Sequence, residues 1–488
     1  MEYLNINDKI EENKEEMLKT LRELIAIKSV EAPEESGMPF GKGVQEAFSY
    51  MLGKAEAEGF ATRDTDHYGG HIDLPGEGDG VMAIVGHLDV VPEGTDWDHD
   101  PYGGDIKDGR LYGRGSIDDK GPVIAAFYAM KAIKDSGLKL NHTIRLILGL
   151  DEETGWKGME YYLSRVKAPD FGFTPDGEFP AIHGEKGILV FQLAKKFSQN
   201  NQGLELRSLK GGNAPNMVAD SARAVVRDKL SGSYEALKEK AAEFRKEKNV
   251  KIHCKGVGKS LEITVQGVSA HGARPEEGVN AVSIMMDFLG GLNFANDDVN
   301  EFIEFYNRHI CYELHGASLG CGFSDEPSGE LVLNVGMVEL KGKSGSFTVN
   351  IRYPVTMDAE QIYAAMMPAL NKYEFGVVKG KGHDPIYVPA DDPMIETLMD
   401  VYRAHTGDRD SKPVVIGGGT YARAFKNVVA FGANFPGEPE LAHQKNEYIL
   451  IDHLLKMAQI YADAICRLGV ACEPGSEPGP EPGSDGEQ

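Results

Sequence analysis

Apolar residues recur at helical spacing between positions 8 and 28, where Ile10, Met17, Leu18, Leu21, Leu24 and Ile25 share one face. That period predicts an amphipathic helix. From 80 to 91 the pattern changes to a nearly unbroken apolar run, GVMAIVGHLDVV, which reads as a buried strand. PVIAAFYAMKAIKDSG (122–137) returns to a helix, with Pro122 in its first turn and Gly137 as its stop. HTIRLILGLDEE (142–153) is a second apolar strand, and it ends in acids. Strand, helix, strand in that order predicts a βαβ unit and an α/β domain.

The texture shifts after HGEKGILVFQLAKKF (183–197). Strand-like runs such as SLEITVQGV and SGSFTVNIRYPV now alternate with helices such as YEALKEKAAEFRKE, an α+β pattern that lasts to about 382. From 383 onward VVIGGGTYARAF, NVVAFGA and IDHLLKMAQIYADAICRL resume the earlier style. The expected organisation is an α/β domain formed by 1–186 and 383–472, with an α+β domain inserted at 187–382. The tail 473–488, EPGSEPGPEPGSDGEQ, holds five acids and no base. Its Pro, Gly and Ser content cannot form a core, so disorder is expected there.

A chain of 488 residues is too long for one ordinary core. Its net charge of −25 argues against nucleic acid or an anionic membrane as partner. The N-terminus lacks the basic and apolar regions of a signal peptide, and no apolar run is long enough to span a bilayer, so a cytoplasmic location is expected. Five cysteines, Cys254, Cys311, Cys321, Cys466 and Cys472, show no paired spacing. A metal site would therefore draw on His, Asp and Glu.

Such residues gather at five places: GHLDVVP (His87, Asp89), GRGSIDDKGP (Asp118, Asp119), LDEETG (Asp151, Glu152, Glu153), FTPDGEFP (Asp176) and ELAHQKNE (His443). Singly, each has an ordinary structural explanation; acids before a helix, for instance, complement its dipole. Jointly they suit a ligand site beyond the carboxyl ends of the strands. Strand geometry would point His87 and Asp89 to the same face. Two histidines with several carboxylates suit one or two divalent ions, Zn²⁺ foremost, with Co²⁺ or Mn²⁺ as alternatives. A pair of ions needs a bridging carboxylate, and hydrolysis needs one more carboxylate free to move a proton. IGGGTYAR lacks the spacing of a nucleotide-binding loop, and reads better as a nest of N–H groups for an anionic group, with Gly418 as its contact.

In order, GHLDVVP, GRGSIDDKGP, DEETG, PDGEFP, SAHGARPEEGVNA, GGGTYAR and AHQKNE resemble the motifs of the dinuclear zinc peptidase family. That family includes carnosinases, aminoacylases and succinyl-diaminopimelate desuccinylases, and the likeness is strongest to its PepV-type bacterial dipeptidases. The resemblance implies a mixed-sheet α/β catalytic domain carrying an inserted α+β lid domain. It implies two divalent metal ions, with His87 and Asp176 on one, His443 and Glu153 on the other, and Asp118 bridging. Asp89 would orient His87, Glu152 would be the general base, and the peptide after Asp118 would be cis. His271 would reach the oxyanion, Arg352 would take a dipeptide's C-terminal carboxylate, and Asn216 would touch the substrate. The enlarged lid implies a monomer, hinged near 185–190 and 380–385. The expected activity is hydrolysis of unblocked L-dipeptides, Xaa-His or β-Ala-Xaa among them. The alternatives are an N-acyl amino acid deacylase or desuccinylase on the same core, or a non-catalytic metal-dependent binding protein.

Overall fold

A computed structural model describes residues 4–198, 203–230 and 233–469. Cys472 and the 473–488 tail lie outside them. The described residues divide into two compact units, one formed by 4–183, 388–414 and 420–469, the other by those within 184–387 and 415–419. The boundaries expected from texture, 186/187 and 382/383, lie a few residues from these, and the short 415–419 stretch joins the second unit.

The first unit is built on a mixed sheet. Its strands lie in the order Ala61–Asp64, Gly70–Leu74, Thr143–Gly149, Val81–His87, Phe171–Thr174, Val428–Phe431, Ala181–Glu185. Thr143–Gly149, Val81–His87, Phe171–Thr174 and Val428–Phe431 run parallel, and the outer pairings are antiparallel. The predicted βαβ unit is present: helix Lys120–Ser136 links Val81–His87 to Thr143–Gly149. Gly137, at φ 75°, ends that helix in the left-handed region that glycine enters without penalty. The helix is buried nearly all round, because the sheet and helices Leu4–Glu12, Lys14–Ile25 and Ile451–Gly469 all pack on it. Each of its fully buried Val, Ile, Phe and Met side chains contributes roughly 1.5–3 kcal/mol.

Two local expectations need correction. The helix expected over 8–28 is two helices, Leu4–Glu12 and Lys14–Ile25, broken at Asn13. There the Lys9 carbonyl accepts both the Asn13 side chain (2.7 Å) and the Asn13 N–H (3.1 Å), and the Asn13 backbone turns away from helical geometry to ψ 2°. The strand expected over 80–91 ends at His87, because its partner Thr143–Gly149 ends at Gly149, opposite His87. Asp89 therefore lies in the following loop, and a shared strand face does not explain the two-residue spacing.

The second unit is an eight-stranded antiparallel sheet. Its order is Lys251–Val257, Ser260–Gln266, Ser221–Asp228, Leu204–Gly211, Val332–Lys341, Ser344–Tyr353, Gly187–Lys196, Gly376–His383. Helices Ala281–Gly290, Asp297–His309 and Ala359–Lys372 supply much of its core, where Phe302 stacks on Phe347 at 4.2 Å between ring centres. The α+β texture arises because these antiparallel strands alternate apolar and polar residues. Among the described residues, no helix is long and apolar enough to cross a membrane, and Cys254, Cys311, Cys321 and Cys466 are free thiols.

Candidate metal centre

Parallel register sets the site. His87 stands opposite Gly149, and Ile84 stands opposite Phe173. Three chain segments therefore leave the sheet at the same edge, carrying His87 and Asp89, Asp151 to Glu153, and Asp176. Gly86 lets the start of helix Lys120–Ser136 approach this edge. A Cβ at Gly86 would fall 2.4 Å from Val123 and 2.6 Å from an Asp119 oxygen. The loop before the helix thus lays Asp118 beside His87. The Asp118–Asp119 peptide is cis. The fifth segment arrives from far along the chain. Tyr448–Leu450 pairs antiparallel with Arg110–Tyr112, so His443 comes alongside Asp118.

The Asp118 carboxylate faces both histidines. Its Oδ1 lies 3.1 Å from His87 Nε2, and its Oδ2 lies 3.2 Å from His443 Nε2. Glu153 is 3.0 Å from the same His443 nitrogen. His87, Glu152 and Asp176 form one group whose donor atoms lie within 4.8 Å of one another, and His87, Asp118 and Glu153 form another. The adjacent glutamates are thus shared between two donor groups.

Asp89 holds this arrangement differently from the simple expectation. His87 Nδ1 is nearest the Asp89 main-chain oxygen (2.9 Å), with a carboxylate oxygen of Asp89 at 3.4 Å. The Asp89 carboxylate accepts the main-chain N–H groups of Glu152 (3.2 Å) and Glu153 (3.1 Å). One buried acid therefore ties the His87 loop to both glutamates.

The electrostatics are those of a site short of positive charge. Burial opposes a charge on His87, yet Asp118 and Asp89 outweigh it and raise the imidazole well above its ordinary value. Hydrogen bonds to Asp118 and Glu153 lift His443 to about 10. Asp118 is half-buried, and the two imidazoles hold it below the usual carboxylate range against the pull of desolvation. Burial, reinforced by the charge of Asp176, pushes Glu152 well above the ordinary glutamate value. Without metal, protons on the histidines balance the acids. Divalent cations fit the same place chemically, since two imidazole nitrogens, several carboxylates and no thiol form a donor set for Zn²⁺, Co²⁺ or Mn²⁺.

The four residues expected to meet substrate lie together in the second unit. Arg352 is buried and donates from Nε to Asn350 (3.0 Å) and from Nη1 to the Gly417 carbonyl (2.9 Å), beside Gly418. The His271 and Asn216 segments run side by side, with the Gly272 N–H donating to the Asn216 carbonyl at 2.7 Å.

Four further residues, all inside motifs already noted, escaped the sequence reading. Tyr421 is fully buried with its ring edge-on to His87 and tilted against Trp156, whose indole N–H donates to the Glu152 carbonyl (2.9 Å). Lys120, also fully buried, donates to the Leu24 and Ile27 carbonyls, and burial lowers its amine to about 7. Arg114 and Glu447 form a buried ion pair at 2.6 Å. Burial, with the nearby charge of Asp118, raises Glu447 to about 7 against the pull of Arg114. The available signal was an arginine and a glutamate sitting within a few residues of candidate ligands.

Residues 83–467 match Peptidase family M20/M25/M40. Two bacterial proteins that carry the name "Putative dipeptidase", from Staphylococcus saprophyticus and from Bacillus subtilis (YtjP), are each 38% identical to this chain. The first alignment covers 95% of this chain and 99% of the relative; the second covers 93% and 97%. Among solved structures, human carnosine dipeptidase 1 shares the fold with a TM-score of 0.56 at 17% identity, over 96% of this chain and 99% of that one. On the strength of the family match and of relatives this similar over nearly their whole length, the chain belongs to peptidase family M20/M25/M40.

Proposed function

We propose that the chain is a metal-dependent dipeptidase that hydrolyses unblocked L-dipeptides. The observation that carries this reading is the Asp118 carboxylate, whose two oxygens face two different imidazoles at 3.1 and 3.2 Å. Such a carboxylate suits a bridge between two divalent ions. His87, Asp176 and Asp118 would hold one ion, and His443, Glu153 and Asp118 the other. When bound, the ions would polarise the scissile carbonyl and lower the pKa of the attacking water.

Glu152 would take the proton from that water and return it to the departing amine. Burial and the neighbouring acids raise its pKa, which favours holding that proton between the two transfers. Asp89 would hold Glu152 and Glu153 in place through their N–H groups. His271 would donate to the developing oxyanion. Arg352, a planar fork already aligned by Asn350 and Gly417, would pair with the substrate's C-terminal carboxylate. Asn216 and Gly418 would complete the contacts.

One observation supports a free dipeptide over an acylated amino acid: relatives at 38% identity carry the dipeptidase name.

The test supplies metal-free protein with Zn²⁺, Mn²⁺ or Co²⁺, then offers free dipeptides, N-acetyl amino acids and tripeptides. Cleavage of free dipeptides is expected. Hydrolysis of acetylated substrates alone would replace this reading with a deacylase, and turnover of nothing would favour a binding protein. Sedimentation at working concentration is expected to report a monomer.

A further inference from the structure

Asp118 is gripped from both sides of its own backbone. On one side Glu447, with no exposed surface, accepts the N–H groups of Ile117 (2.9 Å) and of Asp118 itself (3.3 Å) through Oε1. On the other, the next residue, Asp119, accepts the His87 N–H at 3.1 Å. The second Glu447 oxygen takes the Arg114 guanidinium at 2.6 Å. Arg114 in turn lies over the Trp97 ring and reaches to 3.5 Å from the Pro92 carbonyl, three residues after Asp89.

Glu447 is four residues beyond His443, and the segment between them is stitched down. Asn446 exchanges two hydrogen bonds with Asp98 (2.7 and 2.8 Å), and the Gly113 N–H donates to the Glu447 carbonyl at 3.0 Å. One buried ion pair thus joins the Asp89–Pro92 loop, the Arg114–Asp118 loop and the His443 segment, each bearing part of the candidate metal centre. Fold stability alone does not call for it. The Tyr448–Leu450 and Arg110–Tyr112 strands already pair, and apolar residues of similar volume often replace a buried ion pair without loss.

We infer that Glu447, braced by Arg114, is a positioning residue for the two-ion site. It sets the place of the Asp118 carboxylate relative to His443, so that the second cation binds in the presence of the first. This inference rests on the dinuclear reading given above.

The test titrates metal-free protein with Co²⁺ by calorimetry and visible spectroscopy, alongside steady-state kinetics. The wild type should bind two ions. The double substitution Arg114→Met with Glu447→Leu removes the clamp without stranding a buried charge. It should weaken the second ion about 10–100-fold, lower kcat with KM little changed, and alter the cobalt spectrum. Arg114→Met with Glu447→Gln keeps an oxygen for the two N–H groups and should recover most of the second-ion affinity. If the leucine pair does not fold, Glu447→Asp, one methylene short of those groups, should show the same second-ion loss.

A wild type that binds fewer than two ions would overturn the dinuclear reading and this inference with it. A wild type that binds two, beside clamp variants with unchanged isotherms and only a lower Tm, would overturn the positioning role alone.

Discussion

The two histidines of the acid cluster are held in opposite ways. His87 is the last residue of a parallel strand and is fully buried. Its Nδ1 meets the Asp89 carbonyl, its main-chain N–H meets Asp119, and its ring packs on Tyr421. His443 sits on a loop in left-handed backbone, φ 64°, with 53% of its side chain exposed, facing Asp118 and Glu153. The sheet fixes one end of the cluster, whereas charge gathers the other. A preorganised donor set loses less freedom on binding, so the His87 end should take the tighter ion.

Four measurements would break or sharpen that contrast. The largest effect is expected from Glu152→Gln, which should lower kcat by about 10²–10⁴-fold while both ions stay bound. Metal loss in that variant would instead make Glu152 a ligand of the His87 end. Next comes a stability comparison in the metal-free protein. His87→Ala empties a fully enclosed site and should cost about 2–5 kcal/mol in chemical denaturation. His443→Ala, removing a half-exposed ion pair, should cost about 0–1 kcal/mol. Equal losses would erase the distinction between the two ends.

Asp89→Asn should weaken metal binding by about 10–100-fold, because an amide offers one acceptor where two N–H groups need two. The isotherm, not the melting point, is the readout. The fourth effect is graded with pH, and a single pH unit changes it least. Asp118 and Glu153 lift His443 to about 10, so in its proposed role it would have to lose a proton to bind a cation. Its ion pairs therefore stabilise the metal-free fold fully below about pH 6.5, the ordinary histidine value, and fade as pH rises through about 10. Metal affinity runs the other way, rising with pH over that range by about tenfold per unit for each proton released. Calorimetry at pH 8 in buffers of differing ionisation enthalpy should detect this release, and a smaller release in His443→Ala, with the His87 proton still given up, would assign the difference to His443.

Much of the fold could be read along the chain, because its signals are local. An apolar run, a helix with a glycine stop and a second apolar run announced the βαβ unit, and acids at the ends of apolar runs marked where ligands would gather. The break at Asn13 was hidden, since the apolar period and the main-chain bonds run through it and only one residue's backbone departs from helical geometry. The place of Asp89 was misread for a related reason: where a strand ends depends on how long its neighbour runs.

By itself, then, the sequence determined the standing of acids and histidines at the ends of apolar runs, the separate α+β region and the membership in a peptidase family. Tertiary structure alone decided which atoms meet. It turned the two Asp118 oxygens toward His87 and His443, used the Asp89 carboxylate on the N–H groups of both glutamates, and closed Glu447 over the Asp118 backbone. Those pairings join segments far apart along the chain. Sheet order and the antiparallel pairing of Tyr448–Leu450 with Arg110–Tyr112 set them, and the period of a local pattern carries no information about either.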